Sequence, residues 1–185
     1  MKKSTKIIIG VVVVVALYLL VSYNGLISLN ERADGQWAQV ETQYQRRFDL
    51  IPNLVSSVQG IFNQEQEIFT AIADARTRYA GAGTPDERAA AATQVESALG
   101  RLLVIVENYP LLQSSTNIRD LMSQLEGTEN RVSVERGRFN EAVRDYNLSI
   151  KRFPRNLVAG MFGFDERAYF ESAEGAEEAP TVEFE

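Results

Sequence analysis

The sequence predicts an all-α protein: an elongated antiparallel four-helix bundle with long helices, preceded by a single N-terminal transmembrane helix. Three observations predict it. Residues 7–27 carry no charge over 21 positions. Downstream, apolar residues recur at helical spacings in four segments divided by Pro- and Gly-containing breaks. No period-two alternation bounded by hairpin turns occurs anywhere in the chain.

The anchor comes first. A 21-residue helix spans about 31 Å, close to the thickness of a bilayer's hydrocarbon core. The β-branched run Val11 to Val15 is no obstacle, because hydropathy outweighs helix propensity in lipid. The most apolar part, residues 7–21, has a length that a signal-peptide core also reaches. The following Ser22-Tyr23-Asn24-Gly25-Leu26 offers no Ala-x-Ala cleavage site, which favours an uncleaved anchor. Lys2, Lys3 and Lys6 precede it, and Glu31, Arg32 and Asp34 follow. The positive-inside rule therefore puts residues 1–6 in the cytosol and the rest outside the cell membrane.

The first bundle helix is expected over residues 26–48, where Leu26, Ala33, Trp37, Val40 and Tyr44 keep spacings of three, four or seven. No turn signal separates it from the anchor; Gly25 and Gly35 are its weak points. Asp49-Leu50-Ile51-Pro52 reads as a break, since proline disfavours helix at the preceding residue and suits a new first turn. A second helix is then expected over 52–79, with a stripe of Ile51, Val55, Val58, Phe62, Phe69, Ile72 and Tyr79. Gly81-Ala82-Gly83 ends it. Thr84-Pro85-Asp86-Glu87 is a capping box with proline at the first helical position, opening a third helix to about residue 106. Its inward face is Ala92, Val95, Leu99, Leu102 and Val106. After Asn108-Tyr109-Pro110, a fourth helix is expected over 115–152. In it Ile118, Leu125, Val132, Phe139 and Tyr146 fall at steps of seven, the period of left-handed coiled-coil packing.

Two segments close the chain. Residues 156–170 hold Leu157, Val158, Met161, Phe162, Phe164, Tyr169 and Phe170, and read as an apolar, membrane-proximal cap. Either they pack over the end of the bundle, or Leu157, Met161, Phe162 and Phe164 contact the membrane or a partner. Residues 171–185 contain six glutamates and no basic residue. They read as a disordered acidic tail, with too little apolar surface to offset ordering. The domain plan is thus 1–6 cytosolic, 7–27 anchor, 28–155 bundle, 156–170 cap and 171–185 tail.

Composition removes much ordinary chemistry. With no cysteine and no histidine, the chain lacks thiolate nucleophiles, Cys-based zinc sites, Ser-His-Asp triads and the commonest general base. Residues 25–170 carry 19 acidic and 16 basic side chains, a near-balance unlike a nucleic-acid-binding surface. Lys151 is the sole lysine after Lys6, so a Ser-Lys dyad has little to draw on. Asn147-Leu148-Ser149 matches a glycosylation sequon but falls mid-helix.

The feature with most content is charge on the buried stripes. The companion heptad series of the fourth helix reads Met122, Glu129, Arg136, Val143 and Ile150. In the second helix, Glu65 and Arg76 interrupt the apolar series in the same way. Glu65, Arg76, Glu129 and Arg136 form a candidate polar layer. It reads first as an ion-pair network fixing register, because lone buried charges cost several kcal/mol. A ligand cleft is the second reading, and carboxylate catalysis the third.

These residues sit among motifs that resemble the LemA family. The matching pieces are Tyr23-Asn24-x-Leu26, Trp37, Arg47-x-Asp49-Leu50-Ile51-Pro52-Asn53-Leu54-Val55, Glu65, Tyr109-Pro110, Thr128-Glu129-Asn130, Arg136, Phe139-Asn140, Tyr146-Asn147, Pro154 and Gly163-Phe164, spread over residues 23–170. The resemblance implies a bacterial-type membrane protein with one N-terminal anchor and a long-helix bundle. It implies no particular biochemical activity. The functional expectation is a non-enzymatic, membrane-anchored helical scaffold or adaptor of the cell envelope, with protein partners, no nucleic acid, no cofactor and no metal. Homo-oligomerisation is left open. The alternative is an extracytoplasmic ligand- or signal-sensing bundle using the polar layer; an enzyme using paired carboxylates is the third.

Overall fold

The computed structural model describes residues 3–59, 66–109, 112 and 114–170. The expected disordered tail, Phe62 and Glu65 lie outside the described residues. The chain is all-α: α1 (Lys3–Gln59), α2 (Gln66–Gly81), α3 (Pro85–Asn108), α4 (Thr116–Lys151) and α5 (Arg155–Phe162), with no strand among the described residues. It divides into two compact units, Met1–Val40 with Glu135–Tyr169, and Glu41–Val134 with Phe170–Glu185.

The apolar stripes read from sequence spacings on α4, on α3 and on the 26–48 part of α1 are buried. Ile118, Leu125, Val132, Phe139 and Tyr146 are all buried, as are Ala92, Val95, Leu99, Leu102 and Val106 on α3 and Leu26, Ala33, Trp37, Val40 and Tyr44 on α1. The expected break before Pro52 does not occur: Pro52 lies inside α1. Proline in a helix interior costs about 3 kcal/mol or more, through its missing N–H and its clash with the preceding turn. Phe48, Ile51, Leu54 and Val58 are buried on both sides of it. Each such side chain contributes about 1.5–3 kcal/mol on burial, so together they outweigh the proline. The same register makes Leu54, not Val55, the buried residue of that turn.

The start of α3 is as expected. Thr84 accepts from the Glu87 N–H at 3.2 Å, and the Glu87 carboxylate accepts from the N–H groups of Thr84 at 3.1 Å and Gly83 at 2.9 Å, with proline at N1. These backbone bonds, Gly83 first, hold the Glu87 carboxyl below its usual range. Thr84→Ala should cost about 1 kcal/mol in thermal unfolding. The carboxylate's contribution is present above its unfolded-state value near 4.5 and is lost as pH falls through the lower folded-state value. Glu87→Gln should therefore flatten the acid limb of the stability–pH curve below about pH 4.5.

In the first unit, α4 packs on the early part of α1. Trp37 meets Phe139 edge-on, with ring centroids 5.4 Å apart. Leu26, Tyr146, Ile150, Val158 and Ala159 form one apolar cluster, with Leu19, Tyr23, Leu29 and Phe164 against it. Past α5, Gly163 takes the left-handed conformation (φ 71°), and the Phe164 N–H donates to Ala159 O at 3.0 Å. The Asn147 side chain then clamps the backbone of Arg167 from both sides, at 2.9 and 3.0 Å. The Arg167 guanidinium donates to Asn30 and Asp34, at 2.9 and 2.6 Å.

In the second unit, α1 touches each of the other helices. Tyr44 donates to Glu96 on α3 at 3.2 Å, Glu41 pairs with Arg88 on α3, and Phe48 stacks edge-on against Tyr79 of α2 at 4.8 Å. Burial, and then the charge of Glu41, push the Tyr79 phenol up to about 12, with Arg88 opposing. Arg78 of α2 reaches Gln94 of α3 at 2.7 Å.

Candidate functional site

The expected polar layer of Glu65, Arg76, Glu129 and Arg136 is only partly traced. Glu129 lies in the second unit on α4, where it pairs at 2.7 Å with Arg47 of α1, a residue outside the expected set. Arg76 is half-buried on α2, in the same unit. Arg136 is half-buried on α4, in the first unit.

Arg47 is the buried member of the ion pair, 3% exposed against 60% for the Glu129 side chain. One guanidinium nitrogen carries the bond; Nε and Nη1 are buried without a protein partner among the described residues. The pair is therefore asymmetric: a desolvated cation answered by a carboxylate that water still reaches. A sequence signal for Arg47 exists. Val40, Tyr44, Arg47, Ile51, Leu54 and Val58 step by alternate fours and threes. Treating Pro52 as a helix start interrupts that register and hides Arg47 from it.

Beside this pair, α1 and α4 border an open cleft of about 850 Å³. Its charged lining is Arg46, Asp49 and Arg131, with Thr42, Gln45, Ser123, Gln124 and Thr128 as polar neighbours. Asp49 is the one carboxylate on the lining, and its Oδ1 accepts from Gln45 at 2.8 Å. Neither Glu129 nor Arg47 lines the cleft. A pair of carboxylates poised for acid–base work is thus absent from it among the described residues. No group of three or more acidic side chains is placed to hold a metal ion among the described residues either.

The other expected surface, at residues 156–170, splits by face. Val158 and Ala159 of α5 point into the first unit's cluster, while Leu157, Met161 and Phe162 are exposed and Phe164 is half-buried. Phe162 and Phe164 lie against Tyr23, with centroids at 4.8 and 5.7 Å. The sequon asparagine, Asn147, is buried and committed to Arg167, so it is not an accessible acceptor.

Among the described residues, α1 and α3 contain stretches long and apolar enough to cross a membrane. They differ in packing. Seven residues of α3 face the core, whereas Val11 to Val15 of α1 are all exposed.

Comparison with known proteins adds the family. The magnetosome proteins MamQ 1 and MamQ 2 of Paramagnetospirillum magneticum are each 29% identical to this chain, covering 89% of it and 71% of their own length. The magnetosome protein MamQ of Magnetospirillum gryphiswaldense is 29% identical, over 82% of this chain and 65% of its own. The LemA family model matches residues 36–184. It starts after the Tyr23-Asn24-x-Leu26 motif and continues through most of the acidic segment, which the resemblance over residues 23–170 left out. With four-fifths of its length matched, the chain belongs to the LemA family.

Proposed function

We propose that the protein is a non-enzymatic, single-pass, membrane-anchored helical scaffold or adaptor of the cell envelope. The observation that carries this reading is α1. Its exposed apolar stretch, residues 7–21, runs without a break into a segment whose inward face is packed. A run of valine, isoleucine and leucine exposed at nearly every position, with Leu19 half-buried, is at home in lipid and costly in water. In this reading residues 7–27 are the anchor, residues 28–155 form an antiparallel four-helix bundle, and residues 1–6 face the cytosol under the positive-inside rule. The names of the relatives attach them to the magnetosome. For this chain we carry over membrane association, without the organelle.

Val104 and Val134 are large apolar side chains exposed on the second unit, the kind of position a protein partner would cover. A photo-crosslinking amino acid at either site, in the full chain in native membranes, should yield discrete adducts with envelope proteins. Anchored, folded protein that gives no adduct at any exposed bundle position would sink the adaptor reading. The ligand-sensing alternative has the Arg46–Arg131 cleft in its favour. Against it, Glu129 is already engaged by Arg47 and does not open onto that cleft.

A further inference from the structure

The geometry points to a second membrane contact: α5 lies in the water–lipid interface beside the anchor, with Phe153, Leu157 and Met161 immersed at the headgroup–acyl boundary. This rests on the anchor reading and adds to it a distinct, peripheral contact made by the far end of the chain.

Three observations carry it. First, Leu157 and Met161 are spaced by four residues on one face of α5 and exposed by 60 and 69%, and Phe153, in the turn before it, is exposed by 79%. They are among the most solvent-exposed large apolar side chains outside residues 7–21. Second, the opposite side of α5 is fixed. Val158 and Ala159 are buried with Leu26, Tyr146 and Ile150, and Gly163 and the Asn147–Arg167 clamp hold the chain that follows. The helix therefore cannot roll to bury its outer face within the unit. Third, the place where it docks on α1 is the end of the apolar stretch. Phe162 and Phe164 lie tilted and edge-on against Tyr23, and Leu19 packs on the same cluster. The Arg155 guanidinium lies against Gly25, where an added Cβ would stand 3.4 Å from it. Tyr23 is two residues past Val21, about 3 Å along a helix axis.

A surface held at that height meets lipid if residues 7–21 do. This continuity commits the occupant to a bilayer rather than a partner protein. The composition agrees: Tyr23, Phe162 and Phe164 gather aromatic rings at the level where membrane proteins concentrate them, and the exposed Arg152 supplies a cation for headgroup phosphates, while Arg155 donates to the Ser149 hydroxyl at 2.9 Å. Lys151 is paired with Glu166 at 2.7 Å, so it is already neutralised locally.

The natural sequence has no cysteine, which makes a labelling test clean. Leu157→Cys and Met161→Cys would be labelled with an environment-sensitive fluorophore in the full chain. The protein is reconstituted into phosphatidylcholine–phosphatidylglycerol vesicles and folding is checked by circular dichroism. Leu17→Cys serves as the anchor control and Glu141→Cys as the solvent control. The expected result is blue-shifted emission at 157 and 161 and loss of intensity with lipids brominated high on the acyl chain, while position 141 responds only to aqueous iodide. Water-like emission with iodide quenching at 157 and 161, with position 17 still lipid-quenched, would overturn the interfacial helix and leave the anchor standing. Protection from both quenchers would assign the face to protein contact and equally overturn it. Water-like emission at position 17 as well would remove the anchor and this proposal with it.

Discussion

Replacing Tyr44 by alanine is expected to destabilise the second unit by about 3–5 kcal/mol, the range for deleting a buried aromatic side chain. Tyr44 is 0% exposed and sits in a group of rings: Phe48 at 5.6 Å, Tyr79 at 5.9 Å and Phe170 at 6.5 Å between centroids. Its hydroxyl donates to Glu96 at 3.2 Å. Alanine removes the ring's burial and its aromatic contacts, and leaves a cavity that helices held on several sides cannot close. Tyr44→Phe separates the terms. It keeps the ring and loses one hydrogen bond, so it should cost about 1 kcal/mol. Thermal unfolding of detergent-solubilised full chain checks both. At roughly 2–4 °C per kcal/mol for a domain of this size, alanine should lower the midpoint on the order of 10 °C and phenylalanine by a few degrees. Equal effects of the two substitutions would mean that the hydroxyl, not the packing, holds this region.

The Arg47–Glu129 pair should respond asymmetrically. Glu129→Ala leaves Arg47 charged, buried and without its counter-ion. Removing one partner of a fully buried pair costs about 3–5 kcal/mol. Here water reaches the carboxylate side, so about 2–3 kcal/mol is expected, in line with a lost hydrogen bond to a charged group. Arg47→Met is the contrasting change. It withdraws a desolvated guanidinium that has two nitrogens without protein partners, and puts an apolar side chain of comparable length in its place. Glu129, 60% exposed, then returns to water. That substitution should fall within about 1 kcal/mol of the natural sequence, since replacing buried charges by apolar groups is often neutral or stabilising. The double variant should resemble Arg47→Met alone. A cost for Arg47→Met as large as for Glu129→Ala would show that the pair's attraction exceeds the desolvation of the arginine. The ion pair would then be a net source of stability and not chiefly a constraint on register.

Local interactions were legible because their partners are close in sequence. The Thr84–Glu87 box is complete within four residues. The seven-step series from Ile118 to Tyr146 marks one helical face, and each member is buried. The candidate site was harder to read. Glu129 was visible as a charge on an apolar stripe, but its partner lies 82 positions earlier. Arg47 falls three residues after Tyr44, and its inward position becomes plain once the same register is carried through Ile51, Leu54 and Val58, across Pro52. Local rules place a helix boundary there; the packed residues on both sides overrule it.

By itself the sequence determined the helical class, the uncharged 7–27 stretch, the inward faces of α3, of α4 and of the 26–48 part of α1, and the cap of α3. All of these depend on residue type and on spacings of a few positions. Tertiary structure decided the rest: that α1 continues past Pro52, that Glu129 answers Arg47, and that residues 156–170 divide between an inward and an outward face. Leu157 and Val158 are adjacent and both apolar, so composition cannot tell them apart. What separates them is the docking of α5 against Leu26, Tyr146 and Ile150, contacts made over up to 133 residues of chain, which no local pattern encodes.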